Sequence, residues 1–190
     1  MKLAKHIIVC FAALVIQAQA ANILCVGLNE YADYKNLTYA ENDAVEVSKF
    51  FESMGHTVTV LTGDRVSRET VLEALQAKPD FVYFAGHGVD GKLIVSDGVI
   101  ELSQVATSET MFLLDCCFVG RGLKKQGTMK ILAAAEYHAY ESDGHGLFTK
   151  YLLNGLKDGK AIGGEALTTY LTKNIKAETG GWQKPVLGFI

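Results

Sequence analysis

The chain predicts an α/β fold with a mostly parallel central sheet covered by helices on both faces, and three observations carry that expectation. First, Asn22 to Gly27, Phe81 to Ala85 and Met111 to Leu114 are short, continuously apolar runs of strand length, the pattern of strands buried on both faces. Second, the stretches between them repeat apolar residues at helical spacing, so strand and helix alternate. Third, 190 residues with 49% hydrophobic and 21% charged side chains suit one domain able to bury a core.

The first twenty residues stand apart from this alternation. Lys2 and Lys5 precede an apolar run from Ile7 to Ile16, and Ala18-Gln19-Ala20 forms a small-x-small cleavage pattern. The run is too short to span a bilayer, which takes roughly 20 residues. Residues 1–20 are therefore expected to be a signal peptide, with export to a periplasmic or secreted location. A membrane anchor or a buried first strand is the alternative. Lipid attachment at Cys10 is disfavoured, since Val9 is bulky and Cys10 lies inside the apolar run. No stable membrane anchor is expected once the signal is removed.

The mature part, residues 21–190, is expected to form one domain. After the strand at Asn22 to Gly27 and a polar loop from Asn29 to Tyr39, a helix is predicted from Glu41 to Met54. Ala44, Val47, Phe51 and Met54 share one face, and Gly55 ends it. Thr57 to Leu61 is β-branched and alternating, hence a strand. Ser67 can cap a helix carrying Val71, Leu72 and Leu75, which Pro79 terminates. Leu93 to Ile100 pairs two apolar triplets or doublets around Ser96-Asp97-Gly98, a small surface hairpin. A further strand is predicted at Ile131 to Ala135, helices at Phe148 to Leu156 and Glu165 to Ala177, and a last strand at Pro185 to Ile190. Its proline places it at a sheet edge.

Charge narrows the partners. The net charge of −3, from 18 basic against 21 acidic residues, becomes −5 once Lys2 and Lys5 leave with the signal. No basic surplus exists for a phosphate-binding face, so no nucleic-acid partner is expected. Cys25, Cys116 and Cys117 remain after Cys10 is lost, an odd number without CxxC or zinc spacing. A disulfide scaffold is excluded, at least one free thiol is expected, and no metal site is expected. His87, His138 and His145 lack tight ligand spacing.

The chemistry concentrates at the ends of two strands. Phe81 to Ala85 runs into Gly86-His87-Gly88, and Met111 to Leu114 runs into Asp115-Cys116-Cys117-Phe118-Val119-Gly120. Ligands of open α/β sheets gather at such carboxyl ends. A histidine and a cysteine at equivalent ends of neighbouring strands suit a thiolate nucleophile with a His base or acid. The flanking glycines admit a substrate backbone and can leave peptide N–H groups for an oxyanion. Taken singly, a buried cysteine is more often a small hydrophobe, and a histidine in a Gly-rich turn is more often a turn residue. Gly86 to Gly91 also matches GxGxxG, but Lys92 to Val95 reads as extended where a dinucleotide site requires a helix.

In combination, FAGHG with His87 and LLDCCFVG with Cys117 resemble the caspase-like cysteine peptidases of the C14 type. The metacaspase and bacterial orthocaspase branch, with its D-x-C-x-x-G motif, is the nearest. ILCVGLNEY, LTYAENDA, ILAAAEYHAYES-DGHGLFTKYLLNGL and QKPVLGF resemble further segments of that family in the same order. The resemblance implies a three-layer caspase–haemoglobinase fold with a sheet of about six strands. It further implies a larger-subunit-like part near 21–122 and a smaller-subunit-like part near 129–190.

The resemblance implies peptide-bond hydrolysis, with His87 as general acid/base and Cys117 as nucleophile, Cys116 filling a variable position. Gly88 and Cys117 would offer backbone N–H groups to the oxyanion. Asp43 and Asp115 match the acids that line a pocket for a basic side chain, so cleavage after Arg or Lys of a peptide or protein substrate is expected. The charge logic agrees, since a carboxylate two residues from a thiol disfavours the thiolate and is better explained as a partner for substrate. A cap on the next turn is the other role open to Asp115. Caspases proper carry Gln-Ala where this chain has Asp115-Cys116, which argues against Asp specificity. Val119 and Ala85 stand where serines are common, and His87 and Cys117 are 30 residues apart, against about 50 in caspases. No cofactor is expected, and nothing resembles the long acidic insertions used for calcium activation. The loop from Gly120 to Lys130 holds four basic residues, three glycines and no acid. Its composition predicts an exposed, flexible segment, with Arg121, Lys124 and Lys125 as candidate sites of self-cleavage. A catalytically silent caspase-like domain that binds a peptide, and a small nucleotide- or metabolite-binding domain, are the competing functions.

Overall fold

The computed structural model describes residues 20–105 and 107–190. The expected signal peptide, apart from Ala20, lies outside the described residues. In chain order the elements are β1 (Asn22–Gly27), α1 (Ala40–Ser53), β2 (Thr57–Thr62), α2 (Arg68–Gln76), β3 (Phe81–Ala85), β4 (Gly88–Val89), β5 (Lys92–Val95) and β6 (Gly98–Glu101). They continue with α3 (Leu102–Val105), β7 (Met111–Asp115), β8 (Lys130–Ala133), β9 (Glu141–Ser142), β10 (His145–Gly146), α4 (Leu147–Lys157), α5 (Glu165–Glu178) and β11 (Val186–Phe189).

Six strands form the central sheet in the order β11-β8-β7-β3-β1-β2. Every pairing is parallel except that of β11 with β8. The antiparallel β11 takes the edge, where Pro185 immediately before it removes no ladder hydrogen bond. Strand alternation divides the core in two. Ile23, Cys25, Tyr83 and Leu113 point to one face, under α1, α4 and α5. Leu24, Val26, Val82, Phe84, Phe112 and Leu114 point to the other. Val71 of α2 and Leu93, Val95 and Ile100 of the small sheet cover that second face. Among the described residues no helix is long and apolar enough to cross a membrane.

Several expectations need correction. The predicted surface hairpin is part of a three-stranded antiparallel sheet, β4-β5-β6, because the chain leaving His87 pairs with it before turning. The strand expected to end at Ala135 ends at Ala133, where β11 ceases to pair with it. The strand at Met111 extends one residue further, through Asp115, which lies opposite Ala85 of β3. The loop from Gly120 to Lys130 is exposed in most of its length but is not free throughout. Lys124 exchanges both backbone hydrogen bonds with Phe189, at 2.8 and 2.9 Å, so part of the loop runs as an extra rung on the edge strand. At α2 the expectation holds in detail, since Ser67 accepts from the Thr70 N–H and Thr70 reaches back in a reciprocal capping box.

Candidate active site

The register of two central strands creates the site. β3 and β7 are adjacent and parallel, and Ala85 lies opposite Asp115, so both chains leave the sheet at the same level of the same edge. One exit carries His87 and the other Cys117. The two line one cleft of about 170 Å³, together with Asp43, Asp115, Glu141 and Gly146.

His87 is held from the polar loop after β1. Its backbone N–H donates to the Tyr31 hydroxyl at 3.0 Å, and its ring stands against Tyr31 and Tyr34, with centroids 4.7 and 5.6 Å away. Nε2 lies 2.6 Å from the Lys35 carbonyl oxygen. A carbonyl only accepts, so Nε2 carries the hydrogen, and in the neutral ring Nδ1 is left as the basic nitrogen. The loop itself is braced by Leu37 N–H on the Asn29 carbonyl and by Tyr31 N–H on the Asn36 side chain.

Alternation at the end of β7 sends the two vicinal cysteines in opposite directions. Cys116 is 1% exposed and packs into the second core face. Cys117 is half-buried at the cleft, where its sulfur accepts a hydrogen bond from the Ala139 N–H at 3.3 Å. Burial pushes the Cys117 thiol up, the Ala139 N–H opposes this, and the Asp115 charge adds to it.

The Gly88 N–H is not taken up by the neighbouring strand. Ile94 N–H donates to the His87 carbonyl, so residues 87 and 94 form the hydrogen-bonded pair, and antiparallel alternation turns the Gly88 N–H away from β5. A side chain at Gly88 would meet the Cys116 sulfur, the Cys117 carbonyl and Val119, each at 2.9 Å, so glycine is needed for the two exits to lie this close.

Asp43 and Asp115 are both brought to the cleft, and both are nearly inaccessible, at 1% and 7% exposure. The short strand β10 clamps the first. His145 Nδ1 donates to Asp43 Oδ1, and Gly146 N–H donates to Oδ2 at 2.8 Å. The start of α4 holds the second, with Thr149 donating to Asp115 Oδ2 through its backbone N–H at 3.1 Å and its hydroxyl at 2.6 Å. That hydroxyl has one proton, so the Tyr83 hydroxyl beside it is the donor of the contact they share. Asp115 thus serves partly as a cap, as its alternative role anticipated, but on a distant helix rather than on the next turn. Asp115 Oδ1 takes no hydrogen bond among the described residues. Gly146 sits between the two acids, since a Cβ there would lie 2.3 Å from Asp115 Oδ2 and 3.2 Å from Asp43 Oδ2.

Burial dominates the electrostatics. It raises Asp43 to about 6, against the opposing Gly146 and His145 hydrogen bonds. It raises Asp115 to about 7, and the Asp43 charge adds to the rise. The cleft therefore holds two acids that ionise near neutrality and that a cation would help to ionise.

Sequence reasoning did not find Tyr31, Lys35, Glu141 or Thr149, and it weighed His145 only as a metal ligand. Glu141 accepts from the backbone N–H groups of Thr38 at 3.3 Å and Tyr39 at 3.0 Å, just ahead of α1, whose N-cap residue Tyr39 makes no side-chain cap. Of the self-cleavage candidates, Arg121 is exposed, paired with Asp90 at 3.4 Å and lying over the Tyr137 ring, while Lys124 is the residue bridged to β11.

A sheet of this topology, with a histidine and a cysteine leaving adjacent strands, defines a caspase-like domain. The family model of the caspase domain, peptidase C14, matches residues 22–188, and the chain belongs to that family. The fold resembles the crystal structure of a protein from Geobacter sulfurreducens, with a TM-score of 0.71 over 90% of this chain and 94% of that one, at 14% identity. A D-alanine–D-alanine ligase from Novosphingobium aromaticivorans aligns at 25% identity over 150 residues, 73% of this chain and 46% of the ligase. This chain thus spans about half the length of the curated relative it matches.

Proposed function

We propose that the protein is a cysteine endopeptidase that hydrolyses peptide bonds after Arg or Lys through Cys117 and His87. The observation that supports it most is the Ala85–Asp115 register, which delivers both residues to one cleft floored by buried acids. His87 Nδ1 accepts the Cys117 thiol proton as the sulfur attacks the scissile carbonyl carbon. The carbonyl oxygen becomes an oxyanion facing the Gly88 and Cys117 N–H groups. Collapse of the intermediate breaks the C–N bond, and the His87 proton passes to the leaving amine. Water, deprotonated by the same nitrogen, then releases the acyl group and restores the thiol.

Asp115 Oδ1 is the atom offered to the substrate cation, whereas both oxygens of Asp43 are already engaged by β10. Asp43 acts mainly through its field. We infer further that residues 1–20 direct export and that the Arg121 region is a site of self-cleavage. A fluorogenic peptide ending in Arg or Lys tests the central reading. Wild type should release the fluorophore, Cys117→Ala should not, and peptides ending in Asp should be inert. Equal turnover by wild type and Cys117→Ala, or by Arg and Asp peptides, overturns it.

A further inference from the structure

We propose that Tyr31 is a positioning residue for the reaction, its hydroxyl fixing the Gly86–His87 peptide so that the next N–H, that of Gly88, meets the oxyanion. The inference rests on the reading of Cys117 and His87 as a peptidase dyad. It comes from following the chain out of β3 one peptide unit at a time. The Gly86 N–H donates to the Asp115 carbonyl at 3.2 Å, so β7 holds the Ala85–Gly86 unit. The His87 carbonyl accepts from the Ile94 N–H at 3.0 Å, so β5 holds the carbonyl end of the His87–Gly88 unit. The Gly86–His87 unit between them has no strand beside it. Among the described residues its one hydrogen-bond partner is the Tyr31 hydroxyl, which accepts the His87 N–H at 3.0 Å.

Glycine makes that one contact matter. A Cβ at Gly86 would lie 2.6 Å from the Tyr31 hydroxyl and 3.0 Å from the Phe84 ring, so the position must stay without a side chain. A glycine brings no stiffness of its own, and the hydroxyl supplies the restraint it lacks. A turn of the middle unit would pass through the His87 Cα and swing the Gly88 N–H. The His87 ring has a separate hold, from the Lys35 carbonyl and from the Tyr31 and Tyr34 rings. Tyr31 is itself fixed, since its N–H donates to the Asn36 side chain at 3.0 Å and its ring packs on the second core face. Burial pushes its phenol up, so it stays a neutral hydroxyl at working pH. It does not line the cleft, and it acts through backbone rather than on substrate.

Tyr31→Phe keeps the ring against His87 and removes only the acceptor. For an Arg peptide kcat should fall on the order of 10- to 100-fold, the penalty of a misplaced rather than a missing donor. KM and the shape of the pH profile should stay as in wild type. Two reagents read whether the loss sits at the oxyanion. Iodoacetamide forms an S–C bond at Cys117 with loss of iodide and makes no oxyanion, so its rate should be nearly unchanged. A peptide aldehyde ending in Arg does make one. The sulfur bonds to the aldehyde carbon, the thiol proton passes to His87, and the aldehyde oxygen takes the charge opposite the Gly88 N–H. Its inhibition constant should rise by the factor lost from kcat. Gly86→Ala, which displaces the hydroxyl from the other side, should give the same split, with every assay run below the thermal midpoint of its variant. If wild type neither cleaves the peptide nor binds the aldehyde, the peptidase reading falls and this proposal with it. If wild type does both and Tyr31→Phe matches it, or if alkylation slows as much as turnover, the peptidase stands and the role of Tyr31 at the oxyanion is overturned.

Discussion

Replacing Asp115 by asparagine should make the protein more stable at alkaline pH and, on the proposed reading of the cleft, cost it affinity for a cation. Folding holds the Asp115 carboxyl at about 7, against 3.8 for an exposed aspartate, chiefly through burial. The folded state therefore resists its ionisation. Stability owed to the neutral form is complete below pH ~4, declines as the pH rises, and is gone above about 7. At roughly 1.4 kcal/mol per pKa unit the displacement sets a ceiling of about 4 kcal/mol. Part of this is shared with the neighbouring Asp43 charge, so about 2–4 kcal/mol is the expected gain. The Asp115→Asn amide keeps an oxygen for Thr149 and carries no charge to bury. Urea unfolding of both proteins at pH 4.5, 6 and 8 should show nearly equal stability at the lowest pH and a gap that widens to its full size by pH 8. The variant should bind agmatine weakly or not at all. A gap that stays constant with pH, or a variant less stable than wild type at pH 8, would refute the assignment of a burial-strained carboxylate to this site.

Thr149→Val should cost about 1–3 kcal/mol in unfolding experiments, because it removes the hydroxyl between Tyr83 and Asp115 and strands the buried tyrosine O–H. It should also push the Asp115 carboxyl higher, so that KM for Arg peptides begins to rise at a higher pH than in wild type. Incubated wild type should nick itself slowly, first after Arg121, whereas Cys117→Ala should stay whole. The peptide bond at Lys124 should be cut later, since its backbone is bridged to Phe189, and mass spectrometry of the fragments reads the order.

Elements built from local signals were legible in the sequence. The strand Phe81–Ala85 matches its prediction residue for residue, because a continuous apolar run lies between Pro79-Asp80 and Gly86, and each boundary has its own chemistry. The helix over α1 begins and ends one residue earlier than expected, which is ordinary fraying of a boundary. The opposite facing of Cys116 and Cys117, one in the core and one at the cleft, is what alternation at the end of β7 produces. What stayed hidden depends on backbone atoms or on distant partners. Lys35 matters through a carbonyl that any residue possesses, so its side chain carries no signal. Glu141 finds Thr38 and Tyr39 only after the sheet has brought β9 to the start of α1. The Lys124–Phe189 bridge is of the same kind, which is why composition suggested a looser loop than the structure contains.

The position of Asp115 links recognition to chemistry on the proposed reading. An acid two residues before the nucleophile is a poor way to make a thiolate, and its charge does raise the Cys117 thiol. The penalty lasts only while the carboxylate is unpaired. A substrate cation at Oδ1 cancels the charge that Cys117 feels and at the same time excludes water from the cleft, which strengthens the remaining Ala139 N–H contact to the sulfur. Cys116 provides the contrast, since it feels the same acid from inside the core, and burial holds its thiol well above the usual range. The proposed reading thus makes the nucleophile most reactive when the basic pocket is filled. On that reading a substrate without the positive charge loses binding and also leaves the thiol harder to deprotonate, so discrimination falls on kcat as well as on KM.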